Sequence, residues 1–445
     1  MIPIKDKDSL GETMTPIISK SVFDLRLLRI LVGLTYLNFL SLPALADDLP
    51  TERPIIYQLV VRHFGNEVGT NKIHGTIAEN GVGKFSDIND KALSEIKKLG
   101  TTHIWLTGIF RQSTLTDYSQ IGLPADDPDI VKGRAGSFYA IKDYFDVCPD
   151  YAVNPKNRLQ EFKDLVRRIH KSGMKVMVDL VGNHVARSYD STQRPDLNFG
   201  ARDDQSATIN LENNFVYIPR NQQTALKLPF EDNQPQAANR DGLFEQESGV
   251  PGKFVKATGN RLLSTAPSQN SWYETVLLNY GFDFFSGRNL FNTGSERPAN
   301  STWEILDEFV RTWTVDYGVD GFRADFAHWI PVEYWNWIIK RAKSRDPNLL
   351  FVAEAYENKP GLINAGFDAV YDDPTYDALK GITNLTASPL QLENHWFASS
   401  SNAAKYSLRY LENHDERRIA SPLNVGTNPD ESGFGSAQVS YLVAP

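Results

Sequence analysis

Short apolar runs alternate with amphipathic stretches from Pro54 to about Leu411. The runs have strand length and are rich in Ile, Val, Leu and aromatic residues: Pro54–His63, Thr102–Thr107, Lys175–Val181, Val319–Arg323, Leu349–Glu354, Ala369–Tyr371 and Tyr406–Leu411. Between them, Lys91–Leu99, Leu159–Lys171, Trp303–Tyr317 and Pro331–Arg345 repeat apolar residues at helical spacing. Gly100, Gly173 and Gly318 stop the first three helices. Pro331 opens the fourth, where a missing N–H is harmless. Strands alternating with helices predict a parallel α/β fold.

Between His184 and Trp303 the period breaks, and Asn, Gln, Pro and Gly replace the helical pattern. That stretch is too long for a loop and reads as a small domain inserted after the third strand. The predicted organisation is a leader over 1–46, the first part of a barrel over 47–184, the insertion over 185–300, and the second part of the barrel over 301–445. After the seventh run the sequence offers only the start of a helix over Gly435–Val443. The expectation is therefore a barrel whose eighth strand is missing.

Length and composition narrow the classes. A chain of 445 residues, 41% hydrophobic, has enough apolar material for a barrel-sized core. The net charge of −9 and the lack of a basic block argue against a nucleic-acid partner. Arg26 and Arg29 precede the apolar run 30–42 and Ala44-Leu45-Ala46, the pattern of a secretory signal peptide. Met14 is a plausible initiator. The run is short for a membrane span, which needs about 20 apolar residues. The expectation is an exported chain, secreted or periplasmic, starting near Asp47, with no stable membrane span; the alternative is an uncleaved anchor. Cys148 is the single cysteine, so no intramolecular disulfide forms, and no motif around it suggests a nucleophile. The 8 Trp, 18 Tyr and 24 Phe are core-packing residues or sugar-stacking faces.

Four segments carry the chemistry: Asp179-Leu-Val-Gly-Asn183-His184, Gly321-Phe-Arg323-Ala-Asp325, Ala353-Glu354-Ala355 and Glu412-Asn413-His414-Asp415. Each ends or follows an apolar run, where a β/α barrel places its active groups. Retaining glycoside hydrolysis needs two carboxyl groups in unlike surroundings. Arg323 precedes Asp325 by two residues, hence on the same face of the strand, and its guanidinium favours a charged carboxylate there. Glu354 ends an apolar strand, which favours a protonated acid. Singly, Arg323/Asp325 also reads as a structural ion pair, Glu354 as a solvated strand end and Asp179 as an N-cap or structural carboxylate. Together, at successive strand ends, they read as a site.

These segments resemble the conserved regions of the α-amylase family, glycoside hydrolase family thirteen. Asp179…Asn183-His184 resembles its first region, Gly321–Asp325 the second, Glu354 the third and Asn413-His414-Asp415 the fourth; Leu278-Asn279 resembles the fifth. The resemblance implies a (β/α)8 TIM-type barrel with a small domain after strand three and a β-sandwich after the barrel, the last apparently missing here. It implies Asp325 as nucleophile, Glu354 as acid/base and Asp415 as transition-state stabiliser. Arg323 would orient Asp325, His184 and His414 would bind sugar hydroxyls, Tyr139 would stack beneath the sugar, and Asp179 would support the site. Where many members carry Lys-His after the nucleophile, this chain has His328 and Trp329, so the leaving-group side is changed. Asn183 matches a calcium ligand of many members. A structural Ca2+ would take its other oxygens from the insertion, with Asp203, Asp204 and Asp232 among many candidates.

The expected activity is retaining hydrolysis of α-1,4 bonds in starch, glycogen or maltooligosaccharides. One alternative is transglycosylation from the same covalent intermediate. Another is an inactive carbohydrate-binding relic, motivated by the missing strand.

Overall fold

The computed structural model describes residues 53–207, 210–219, 225–229, 240–247, 255–283, 286–291, 298–383, 386–392 and 405–416. The leader, Asp232 and the segment after Glu416 lie outside the described residues. The architecture below belongs to one compact unit that begins at Pro54.

Seven strands form one sheet in chain order: β1 (Ile56–Val60), β2 (His103–Thr107), β3 (Lys175–Leu180), β4 (Gly321–Ala324), β5 (Leu350–Ala353), β6 (Ala369–Tyr371) and β7 (Ser407–Leu408). Every neighbouring pair is parallel. Parallel neighbours in sequence order, separated by helical crossovers, are the wall of a β/α barrel. All seven predicted runs supply a strand, though the first is confined to Ile56–Val60.

Helices α1 (Asp90–Lys98), α2 (Arg158–Lys171), α3 (Ser301–Arg311) and α4 (Val332–Arg345) fall on the four predicted stretches. Asn89 and Asn300 cap α1 and α3 by accepting backbone N–H groups. Helix α2 buries Phe162, Leu165, Val166 and Ile169, an i, i+3, i+4, i+7 stripe. Residues Thr312–Asp316 follow α3 as a π-helical turn, so the predicted helix 303–317 changes winding at its end. Helices the pattern did not disclose include α5 (Lys359–Ala365), which connects β5 to β6, and α6 (Asp373–Thr383), which follows β6. A hairpin, Phe110–Gln112 with Ile141–Val147, fills the connection after β2.

Alternation along the strands sorts the interior. Outward residues such as Ile104, Val178, Phe322 and Phe351 join the main core beneath the helices. Inward residues Trp105, Met177, Val352 and Tyr371 form a separate cluster inside the sheet. Each fully buried aliphatic or aromatic side chain contributes roughly 1.5–3 kcal/mol. Near the C-terminal ends the inward positions turn polar: Thr107, Asp179 and Arg323 are buried. Cys148 is fully buried, as a packing residue would be.

After Asn183, residues His184–Ala186 pair antiparallel with Thr275–Leu277. The inserted stretch has a small core of its own, Ile218, Leu226, Leu228, Phe244, Val255 and Tyr273, joined by Ile130 from the connection after β2. No helix among the described residues is long and apolar enough to cross a membrane.

Candidate active site

Arg323 is fully buried at the end of β4 and organises the strand ends. One guanidinium nitrogen, Nη1, lies 2.6 Å from Asp325 Oδ1 and 3.6 Å from Asp179 Oδ1; the other, Nη2, lies 2.8 Å from Glu354 Oε2. Nε donates to the Tyr371 hydroxyl at 3.3 Å. The rings of Trp105, Tyr139 and Tyr371 surround the guanidinium, with centroids 5.2, 5.8 and 5.9 Å from its carbon. Three carboxylates around one cation leave an excess of negative charge in a buried place, and Asp325 and Asp179 hold their protons more tightly than in water.

Asp325 carries that effect. Burial raises its pKa; Arg323 opposes the rise, and Glu354 and Asp179 add to it. The expected placement of Arg323 beside Asp325 is correct, but desolvation outweighs the guanidinium. Its Oδ1 is held by Arg323, whereas Oδ2 is buried with no hydrogen-bond partner among the described residues. The chain turns sharply after it: Phe326 has a left-handed backbone, φ 43°, costly for a residue with a Cβ. That turn lets Phe326 N–H donate to Glu354 Oε2 at 2.8 Å.

Glu354 is buried at the end of β5. The register pairs Ala324 with Ala353, so Asp325 and Glu354 leave neighbouring strands side by side. The apolar strand before Glu354 does not surround its carboxyl group. Phe326 N–H and the Tyr356 hydroxyl, the latter at 3.2 Å, donate to it, and the Arg323 guanidinium stands beside it as an ion-pair partner.

Asp179 accepts Trp105 Nε1–H and Gly108 N–H, both at 3.1 Å, and burial pushes its pKa to about 6. His414 sits edge-on to Trp105, with ring centroids 5.5 Å apart. Gln58 Nε2 lies 2.9 Å from its Nδ1, and the Tyr139 hydroxyl 2.6 Å from its Nε2. Burial and Arg323 pull the His414 pKa down to about 3, so the ring is neutral. With the Gln58 amide donating to Nδ1, the ring proton belongs on Nε2 and points at Tyr139 oxygen. The Tyr139 O–H then remains available to an incoming hydroxyl.

Asp415 is the outermost of the predicted acids. Its side chain is 53% exposed, with Oδ2 3.3 Å from His414 Nε2. Burial of the remainder raises its pKa, and Arg323 opposes this. An Asx turn fixes the segment: Asp415 and Glu416 N–H both donate to Asn413 Oδ1.

His184 is buried, and burial lowers its pKa to about 4. It touches Asn183 Nδ2 through Nδ1 at 3.1 Å and packs against Trp272, 5.3 Å between ring centroids. His328 is half-buried against Phe326, Trp329 and Tyr356. Asn183 Nδ2 donates to the Gly259 carbonyl at 2.8 Å. Of the expected calcium donors, Asp203 accepts Asn214 N–H, Phe215 N–H and the Tyr217 hydroxyl, and Asp204 accepts Ser206. No group of three or more His, Cys, Asp or Glu among the described residues is arranged to hold a metal. Among the described residues, Asn183, Asp203 and Asp204 are thus engaged with other protein groups.

The site therefore brings together Asp179, Arg323, Asp325, Glu354, Tyr139 and His414, with Asp415 at the rim and His184 and His328 beside it. Gln58, Trp105, Tyr356 and Tyr371 were not foreseen. Tyr371 ends β6 and Tyr356 follows β5, the positional signal that singled out the others, whereas Gln58 and Trp105 lie inside β1 and β2.

A model of the alpha-amylase catalytic domain matches residues 62–364, more than half of the chain. An alpha-amylase of Streptomyces lividans is 23% identical over 410 residues, 85% of this chain and 41% of that protein. An alpha-1,4-glucan:maltose-1-phosphate maltosyltransferase of Myxococcus xanthus is 36% identical over 89 residues, 19% of this chain and 13% of that protein. The structure of a cyclic alpha-maltosyl-(1→6)-maltose hydrolase from Arthrobacter globiformis shares the fold, with TM-score 0.53 at 17% identity over 82% of this chain and 67% of that one. The chain spans about half the length of the curated relatives it matches over most of its own. A barrel wall in family order, an arginine bracketed by two carboxylates on adjacent strands, and a match across the catalytic domain lead to one conclusion: the chain belongs to the α-amylase family.

Proposed function

We propose that the chain is a retaining α-glucan hydrolase that cleaves α-1,4-glucosidic bonds of starch, glycogen or maltooligosaccharides. The observation that carries this reading is the Arg323 guanidinium in contact with both Asp325 and Glu354. Neighbouring strands lie roughly 4.8 Å apart. Carboxylates leaving them side by side suit the separation of about 5–5.5 Å that retention needs.

In the first step Asp325 Oδ2 attacks the anomeric carbon as its bond to the leaving oxygen breaks. Glu354 gives that oxygen its proton. In the second step Glu354 takes a proton from water, the water oxygen bonds to the anomeric carbon, and Asp325 leaves as a carboxylate. Arg323 holds Oδ1 and so aims Oδ2. Tyr139 lies beneath the sugar, His184 and His414 bind its hydroxyls, and Asp415 meets the ring as it distorts.

Proton NMR of maltoheptaose with the chain tests the reading. Shorter products appearing first as the α-anomer support it. First products in the β-anomer would exclude retention. Longer products beside shorter ones would favour transfer, the reading suggested by the maltosyltransferase relatives and the His328-Trp329 pair. Export rests on the leader pattern alone, and N-terminal sequencing of the protein from culture fluid or periplasm would test it; a chain retaining Arg26 would contradict it.

A further inference from the structure

We propose that Tyr356 is a positioning residue for the acid/base: its hydroxyl stands beside Glu354 Oε1 and stabilises that oxygen once its proton has left. The proposal rests on the retaining reaction proposed above. The two oxygens of the Glu354 carboxyl group have unlike surroundings. Oε2 accepts Phe326 N–H at 2.8 Å, and Arg323 Nη2 stands 2.8 Å from it as an ion-pair partner. The next backbone group, Ala327 N–H, donates to the Glu354 carbonyl at 2.9 Å, so main chain fixes the residue at two points. A permanent cation and a fixed donor favour negative charge on Oε2 and disfavour a proton there. The proton of the acid form therefore belongs on Oε1, and Oε1 meets the Tyr356 hydroxyl at 3.2 Å.

Ala355 turns into the main core, which leaves residues 354 and 356 on the same side of the chain. The Tyr356 ring stands edge-on to His328, with centroids 5.7 Å apart and planes at 85°. Burial, and after it the charge of Glu354, raises the Tyr356 pKa above the ordinary tyrosine value, so the hydroxyl keeps its proton and can donate. A hydroxyl bonded to a carboxylate sits about 2.5–2.7 Å from it. The contact at 3.2 Å is longer. Catalytic hydrogen bonds are often long before substrate binds and tighten as the reaction proceeds. In the first step the Oε1–H bond of Glu354 breaks as the leaving oxygen takes the proton, and Oε1 becomes negative. Tyr356 O–H then donates to it and the contact shortens. In the second step Oε1 takes a proton from water and the contact lengthens again. An interaction that is stronger in the transition state than in the ground state raises the rate. Tyr356 is 44% exposed, so water shares its hydroxyl. The gain should be smaller than the roughly 10²–10³-fold of an enclosed donor.

Kinetics of wild type and Tyr356→Phe on two substrates test this. Maltoheptaose must have its leaving oxygen protonated, whereas α-maltotriosyl fluoride releases fluoride, which needs little help from an acid. Phe keeps the ring against His328 and removes only the hydroxyl, so the two chains should melt at nearly the same temperature. For each substrate kcat/KM reports the first step. Tyr356→Phe should lower it about 10-fold on maltoheptaose, the effect of losing one hydrogen bond to a charged group. On the fluoride it should be nearly unchanged. Equal losses on both substrates would overturn the proposal, because damage to the site or to sugar binding does not tell the two leaving groups apart. So would an unchanged kcat/KM on maltoheptaose. Wild type that turns over neither substrate would instead overturn the functional reading, and this proposal with it.

Discussion

At the residue scale, Asp325 combines a role in chemistry with a cost in stability. Its folded-state pKa is raised, chiefly by burial. The folded chain therefore binds its proton more tightly than the unfolded chain, whose aspartates titrate near about 3.9. The stability this residue contributes is fully present below the unfolded value and is lost as pH rises through the folded one. Asp325→Asn should raise the unfolding midpoint more at mildly alkaline than at mildly acidic pH, by on the order of 1 kcal/mol at the alkaline end. It should also lower maltoheptaose turnover by about 10³-fold or more. Melting curves across pH for both proteins, with parallel slopes, would refute the charge account. In wild type, kcat/KM should fall on acidification at a pH above the ordinary aspartate range, because the nucleophile must be ionised. Gln58 gives a milder case. Its amide bridges Thr107 Oγ1 and His414 Nδ1. Gln58→Leu should release the His414 tautomer and raise KM about 10-fold, with little change in melting, in a comparison of kcat, KM and midpoint.

At the element scale, what was legible is what periodicity encodes. The barrel strands are apolar on both faces, and α1 to α4 bury clear stripes, so both stood out. Helix α5 has seven residues with Pro360 and Gly361 near its start, too short and too interrupted for a period to emerge. The hairpin Phe110–Gln112 with Ile141–Val147 has 28 residues between its strands and irregular register, so no turn signal marks it. Asp179, Asp325 and Glu354 were legible because each stands at the end of a strand. Gln58 and Trp105 lie inside theirs and read as ordinary strand residues. The electrostatics were less legible than the positions. Apolar neighbours in sequence do not say what meets a carboxylate in space, and around Glu354 it is donors. The turn at Gly259 offers a test of element packing. Gly259→Ala would force Thr275 or His184 aside. It should lower stability by roughly 1–3 kcal/mol, and it should weaken glucan binding because His184 moves with Asn183. Unchanged denaturant midpoints would mean that the turn yields freely.

At the scale of the whole molecule, the polar centre is also a structural joint. Through Arg323, the Trp105 ring of β2, Asp179 of β3, Glu354 after β5 and Tyr371 of β6 meet at one side chain of β4. Five consecutive strands of the described sheet are thus coupled at the end where the chemistry lies. Buried charges joined this way are a poor bargain against well-packed hydrocarbon, yet breaking one partner leaves the rest uncompensated. Arg323→Met should therefore do more than silence the site. With Asp179, Asp325 and Glu354 left without their shared cation, stability should fall by roughly 3–5 kcal/mol. Arg323→Lys should restore part of it, since an ammonium supplies the charge but not the two-pronged geometry. Adding Asp325→Asn to Arg323→Met should recover more stability than Asp325→Asn adds to wild type, because fewer uncompensated charges remain buried. Urea unfolding of the four chains closes that double-mutant cycle. If the two substitutions simply add, Arg323 and Asp325 are not coupled in stability, and the barrel mouth is held by its packing.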